Sequence, residues 1–404
     1  MNIIYKLYCW TFQFCLKLAL PFLPYKNPII LNNILYVSDE LITNNKKNPI
    51  IIVDKIIYEL GLVKTLEDKL KELNFKYYIF TNVVVNPTTN SVEKALMLYK
   101  ANSCDSIIAI GGGSAIDLAK GMGALIAKKN KTLSQLKGIL HIRKKIPLLF
   151  AIPTTAGTGS ETTLACVIVD SETRHKYAIN DFPLIPKYAV LDANMTMTLP
   201  QNLVATTGMD ALTHAIEAYI GKSGNKNTRK DAKQAIKLIF SNIEKSYFDT
   251  DIEARKNMLY ASHLAGRAFS KAYVGNFHSI AHSLGGKYNL PHGLCNAVIL
   301  PYVLKKYGKS IYKKIKQISL YCGFVDDNAS LEDTYNLFIN KIIDLNKKMN
   351  IPNHLPINGA DIDEMVNYAY KETNPLYPVP ELWNKEKFKK IYMLVGDINE
   401  KTNN

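Results

Sequence analysis

Four of the eight histidines in this 404-residue chain fall in three short motifs whose side chains can hold a metal ion. In Gly208-Met-Asp-Ala-Leu-Thr-His214, Asp210 and His214 stand four apart. That spacing puts them on one helix face, opposite the apolar stripe of Met209, Leu212 and Ile216. His278 and His282 repeat the spacing, and His292 follows in the turn Leu290-Pro-His-Gly293. A lone histidine is usually a satisfied core or surface residue. A carboxylate and four imidazoles in three such motifs are poorly explained that way, and their chemistry suits a borderline ion such as Fe²⁺ or Zn²⁺.

Two glycine-rich turns offer a second kind of chemistry. Ile107-Ala-Ile-Gly-Gly-Gly-Ser114 runs from an apolar strand through three glycines into a helix, with Ser114 placed to cap it. Glycines let a backbone approach a phosphate, and the free N–H groups of a helix start favour an anion. The motif is neither GxGxxG nor a Walker loop, so a plain tight turn competes with this reading. Ile152-Pro-Thr-Thr-Ala-Gly-Thr-Gly-Ser-Glu161 is a second loop of small hydroxylated residues after a strand. Two such loops at neighbouring strand ends suit a nucleotide, because open α/β sheets bind ligands at that edge.

The elements that position these residues follow from periodicity. Apolar runs at 49–53, 77–80, 106–110 and 147–152 have the length and β-branched content of buried parallel strands. Helical patterns at 56–73, 91–100 and 115–127 separate them, which predicts βαβ units in a doubly wound sheet. Further strands are expected at 165–169 and 188–191. After Pro200 the patterns are helical, through 231–246, 252–271 and 335–349. The expected organisation is an aromatic N-terminal arm (1–28), a dinucleotide-binding α/β domain (29–200) and an all-helical domain carrying the metal and substrate (201–404).

Composition bounds the rest. Apolar residues make up 47% and charged residues 21%, as in a soluble globular protein. The net charge of +15 comes from scattered lysines with no aromatic platform or DNA-reading motif beside them, so a lysine-rich solvated surface is expected and no nucleic-acid partner. The six cysteines show no CxxC spacing, which speaks against a disulfide framework and for reduced thiols in the cytoplasm. Residues 3–25 are rich in Tyr, Trp, Phe and Leu but are interrupted by Lys6, Gln13 and Lys17 and ended by Pro21 and Pro24. Neither a signal peptide nor a spanning helix fits. The segment reads as one or two amphipathic turns, packed on the body or on a partner subunit. Attachment to an anionic bilayer is the less favoured reading.

Taken together, Gly111-Gly-Gly-Ser114, Pro153-Thr-Thr-Ala-Gly-Thr-Gly-Ser-Glu161, Gly208-Met-Asp-Ala-Leu-Thr-His-Ala-Ile-Glu217, His278…His282 and Pro291-His-Gly-Leu-Cys-Asn-Ala297 resemble, in order, the motifs of the iron-dependent (group III) alcohol dehydrogenases. The likeness runs from about Ile50 to Val395. It implies a dinucleotide-binding domain followed by a helical metal domain. By that resemblance Asp210, His214, His278 and His292 are the metal ligands. His282 is a catalytic histidine near substrate and cofactor rather than on the ion. The resemblance also implies cofactor contacts from Gly112, Gly113, Ser114 and Asp117 at the pyrophosphate turn and from Thr154, Thr155 and Thr158 in the second loop. Asn86 and Lys176 are weaker matches. Asp54 matches the carboxylate that bonds the adenine ribose, where it would repel a 2′-phosphate, so NAD is expected over NADP. The chain departs from the family pattern in Ser283, Val85, its first strand and its extra aromatic arm.

The expected activity is NAD(H)-linked oxidation of a small alcohol, or reduction of an aldehyde, on a divalent metal, with Fe²⁺ favoured and Zn²⁺ as the second choice. A homodimer is expected from the resemblance. The competing reading is a polyol- or sugar-phosphate dehydrogenase, or a dehydroquinate synthase-like lyase, on the same fold; the His278…His282 and Pro291-His-Gly293 motifs themselves show no lysine or arginine converging on a substrate phosphate. Leu164, Phe269 and Phe277 are candidates for an apolar substrate pocket.

Overall fold

The computed structural model describes residues 2–173 and 175–398. An N-terminal helix, α1 (Ile3–Ala19), precedes a set of short strands: β1 (Ile29–Leu31), β2 (Pro49–Val53), β3 (Tyr78–Phe80), β4 (Ser106–Gly111), β5 (Gly138–Ile139), β6 (Leu148–Pro153), β7 (Ala165–Val169), β8 (Lys176–Asn180) and β9 (Tyr188–Val190). Six of them form one parallel sheet in the order β1-β9-β6-β4-β2-β3. Every residue of β2 and β4 is buried, which is why their sequences are apolar apart from Ser106. Alternate side chains feed two cores. Ile50, Ile52, Ile107 and Ala109 face one side, whereas Ile51, Val53, Ile108 and Ile110 face the other. Helices α2 (Tyr36–Thr43), α3 (Lys55–Glu59), α4 (Lys64–Glu72), α5 (Thr89–Ala101) and α6 (Gly113–Ala127) complete the doubly wound layers.

The chain leaves β2 for β3 on one side and returns to β4 on the other. Strand order therefore reverses between β2 and β4, the point at which ligands bind along the carboxyl edge of such sheets. Asp54 follows β2 directly and the three glycines carry the chain from the end of β4 into α6, so both turns lie at this reversal.

Two expectations need correction, and a third gains detail. The helix expected over 56–73 is two, α3 and α4, because Gly61 turns the chain at φ 74° between them. The strand expected at 165–169 forms at those bounds, but outside the main sheet; β7 pairs antiparallel with β8, which also carries β5, in a separate three-stranded sheet. Its burial alternates, as one-sided packing requires, and Asp170 closes the turn by accepting from the N–H groups of Glu172 and Thr173. The N-terminal segment forms a 17-residue helix rather than one or two turns, capped by the Asn2 side chain on the Tyr5 N–H.

Beyond Pro200 all regular structure among the described residues is helical: α7 (Gln201–Ile220), α8 (Lys226–Phe248), α9 (Ile252–Ala272), α10 (Asn276–Tyr288), α11 (His292–Tyr307), α12 (Tyr312–Cys322), α13 (Leu331–Lys348), α14 (Ile362–Thr373) and α15 (Lys385–Val395). The chain divides into two compact units, Pro24–Leu199 and Met1–Leu23 with Pro200–Asn404. In the second unit α7 is buried along its whole C-terminal half, from Gly208 to Ile220. A polar residue on that stretch is withdrawn from water and must find partners in the protein.

Candidate metal centre and cofactor edge

Helix α7 supplies Asp210 and His214, α10 supplies His278 one turn in, and α11 begins with His292. The ligand atoms of these four residues lie within 4.8 Å of one another. Asp210 Oδ1 is 3.9 Å from His214 Nδ1, 4.0 Å from His278 Nε2 and 3.6 Å from His292 Nε2. Asp210, His214 and His278 are buried, and His292 is partly exposed. The close approach of α11 to α7 depends on Gly293, where an added Cβ would stand 2.6 Å from the Thr206 carbonyl oxygen. Without a side chain there, the first turn of α11 settles on α7 and brings His292 to Asp210.

The surroundings prepare these groups to bind a cation. Burial holds the His214 imidazole down to about 3 and pushes His278 well below its usual value, so both rings are neutral donors of an electron pair at neutral pH. Burial pushes the Asp210 carboxyl up, but His214, His292, His278 and the Asn296 amide together outweigh it and keep the group ionised. His214 Nδ1 is buried with no hydrogen-bond partner among the described residues. The Asn296 amide nitrogen donates to Asp210 Oδ1 at 2.6 Å and lies 3.1 Å from His292 Nε2 and 3.3 Å from His278 Nε2. A hydrogen-bond donor thus sits where the electron pairs of three ligand atoms converge, and the set fits a divalent cation.

Glu217 fixes the ring of His278. It lies on α7, seven residues after Asp210, with Oε1 accepting from the Phe277 N–H at 3.0 Å and Oε2 2.5 Å from His278 Nδ1. Because the Asn296 amide points a hydrogen toward His278 Nε2, the ring proton belongs on Nδ1 and the Nε2 electron pair faces the cluster. Burial pushes the Glu217 carboxyl up to about 8. Phe269 stacks on His214 with ring centroids 4.2 Å apart and so braces that ring. Phe277 is fully buried against Tyr307 rather than lining a pocket. Leu164 is half-buried beside β7, in the other unit.

His282, one turn beyond His278, is outside the ligand group. Its Nδ1 lies 2.6 Å from Glu372 Oε1, which also accepts from the Tyr377 hydroxyl at 2.8 Å. Its ring stacks on that of His292 with centroids 5.2 Å apart.

In the α/β unit the candidate cofactor residues gather along the carboxyl edge. Gly111 adopts φ 151°, and a Cβ there would meet Ala115 at 2.8 Å. Gly112 caps α6, and a Cβ at Gly113 would lie 3.1 Å from the Thr158 hydroxyl. The Ser114 hydroxyl accepts from the Asn86 N–H at 3.3 Å, and Lys176 donates to the Asn86 side chain at 2.7 Å. Thr154 is buried and donates its N–H to the Gly111 carbonyl, while Thr155 lies beside Gly112. Asp54 caps α3 by accepting from the Ile56 N–H. Asp117 is a strut behind the turn, its carboxylate taken by the Ser160 hydroxyl and the Val167 N–H.

Sequence reasoning left four supporting residues unassigned. Glu217 and Asn296 both lie inside the quoted motifs, at helical spacing from Asp210 and His292, and that spacing could have found them. Lys120, fully buried, donates to the carbonyls of Ser160, Thr163 and Ala165 and holds the second loop to α6. Glu372 stands 90 residues from His282, too far for any local signal.

The comparisons with known proteins agree with this geometry. Residues 29–193 match the model of the iron-containing alcohol dehydrogenases, and 204–395 match that of the C-terminal domain of the same family. The 1,3-propanediol dehydrogenase of Citrobacter freundii is 35% identical over 86% of this chain and 90% of its own length. The NADPH-dependent butanol dehydrogenase of Clostridium saccharobutylicum is 40% identical over 80% of this chain and 83% of its own. A crystal structure of 1,3-propanediol oxidoreductase superposes with a TM-score of 0.87 at 33% identity, covering 91% of this chain and 98% of that one. With both units matched and relatives at this identity along nearly their whole length, the chain belongs to the iron-containing alcohol dehydrogenase family.

Proposed function

We propose that the protein interconverts small alcohols and aldehydes with NAD(H), using a divalent ion, Fe²⁺, held by Asp210, His214, His278 and His292. The observation that carries this reading is the convergence of four ligand atoms within 4.8 Å. When bound, the ion supplies Lewis acidity toward the substrate oxygen.

The chain's own residues do the rest. Glu217 orients His278, and Asn296 steadies Asp210. His282 moves the proton of the alcohol: with Nδ1 held by Glu372, Nε2 is the atom that takes it up or returns it. Gly112, Gly113 and Ser114 receive the pyrophosphate at the start of α6, and Thr154, Thr155 and Thr158 offer hydroxyls from the second loop. Asp54 accepts from the ribose hydroxyls and repels a 2′-phosphate, which supports NAD even though the butanol dehydrogenase relative is named for NADPH. The polar partners around the cluster are Glu217, Asn296 and Glu372, two carboxyl groups and an amide. They favour an uncharged substrate over a phosphorylated one. We place the enzyme in the cytoplasm as a homodimer.

The test is anaerobic oxidation of NADH and of NADPH by the Fe²⁺-loaded protein with a panel of short aldehydes. The reading expects turnover with NADH well above that with NADPH. Turnover only with phosphorylated carbonyl compounds would contradict it.

A further inference from the structure

Helix α1 lies outside the part of the chain that matches the family, which begins at residue 29. Its inner face is fixed to the helical unit. Cys9 is fully buried against Val379 and Leu382, Tyr5 stacks on Tyr370, and the Gln13 amide donates to the Tyr377 carbonyl at 2.7 Å. These three residues repeat at four-residue spacing and leave the opposite face outward.

That outward face is apolar. On a helical wheel Trp10, Ile3, Phe14, Leu7, Leu18 and Ile4 fall in one continuous arc interrupted only by Thr11, and Ile3, Leu7 and Phe14 are 83%, 62% and 60% exposed. A soluble helix shows the reverse, with its apolar stripe inward. Lys6 and Lys17 flank the arc on one side, with the Lys6 amine 5.5 Å from the Trp10 ring. The sequence has no acidic residue before Asp39. On the body beside the helix, Lys222 and Arg229 join Lys17 close enough to Lys314 to oppose its positive charge, with Glu381 the acidic group that faces Lys222.

We infer that α1 is a peripheral membrane anchor, its outward face seated in the headgroup layer of an anionic bilayer while its inner face stays on the enzyme. Tryptophan and tyrosine favour that layer, and flanking lysines add attraction to anionic lipid. No described helix is long and apolar enough to cross a membrane, so the association is with the surface. A second copy of this chain is the poorer occupant, because pairing two α1 faces brings both sets of lysines together on chains of net charge +15.

The experiment is co-sedimentation of the metal-loaded full-length protein with vesicles of phosphatidylcholine alone or mixed with phosphatidylglycerol, with light scattering of the lipid-free protein. The inference predicts sedimentation with the anionic vesicles that salt weakens, and a blue shift of Trp10 fluorescence; the other tryptophan, Trp383, is fully buried and stays silent. L7E/F14E, at two exposed positions, should abolish binding while keeping activity and melting temperature. K6Q/K17Q should weaken it about 25-fold, at roughly fivefold per lysine. No sedimentation at low salt, or equal sedimentation of L7E/F14E, would overturn the inference. A dimer that dissociates in L7E/F14E, without vesicle binding by the parent, would assign the face to a second copy instead. Each outcome is independent of the catalytic reading.

Discussion

Asn296 places an amide hydrogen among three electron pairs that the proposed ion would otherwise draw together. Removing that amide leaves the buried Asp210 carboxylate short of a charged hydrogen bond, a loss of about 1.5–3 kcal/mol. Asn296→Ala should therefore lower the stability of the metal-free protein by that amount and the loaded protein by much less. Denaturant melts with and without Fe²⁺ check this; an equal loss in both forms would show that the amide is not a stand-in for the ion. His214 makes a separate prediction. Its folded value of about 3 lies below its ordinary 6.5, so the unfolded chain binds the extra proton and stability falls as pH drops through that window. Between pH 7 and 5 the metal-free protein should lose about 2 kcal/mol through this group, at roughly 1.4 kcal/mol per unit. His214→Gln should be flatter by that amount in urea melts at the two pH values. The grouping of Asp210, His214, His278 and His292 was legible because their spacing is written in the sequence. The hydrogen bonds that set their tautomers were not, since a tautomer depends on what packs against the ring.

Among the helices, the four-residue cluster forms because α7, α10 and α11 approach closely, and one glycine limits how closely. A methyl group at Gly293 would collide with the Thr206 backbone, which cannot rotate out of the way as a side chain can. Gly293→Ala should push the first turn of α11 off α7 and carry His292 away from Asp210. We expect a stability loss of about 1–3 kcal/mol from overpacking and a metal affinity about 10- to 100-fold weaker. Calorimetric metal titration reads the second quantity directly; unchanged affinity would mean that His292 does not hold the ion. Strands β2, β4 and β6 were readable from their buried runs, and α7 from its stripe. What the sequence obscured was pairing. Strand β7 looks like one more strand of the main sheet, and only its partner β8 and the Asp170 turn make it antiparallel. Helix α1 was obscured for a related reason. Its inward stripe is Tyr5, Cys9 and Gln13, less apolar than the face it leaves outside, so its pattern does not announce which side is buried.

For the whole molecule, each compact unit carries its own core and its own proposed ligand, the dinucleotide at the strand ends of one and the metal among the helices of the other. The organisation of the two halves was visible in the change from alternating strand and helix signals to helix alone at Pro200. The basic charge was visible too, although its concentration around α1 emerges only once Lys17, Lys222 and Lys314 are brought together by folding. The proposed reaction depends on an ion held by Asp210, His214, His278 and His292. The most direct measurement is bound Fe²⁺ per chain, read alongside NADH-dependent aldehyde reduction, in the parent and in His278→Ala. One ion per chain and turnover are expected in the parent, with both lost in the variant while its fold, judged by circular dichroism, remains. A variant that keeps a full equivalent of iron and its activity would contradict this assignment.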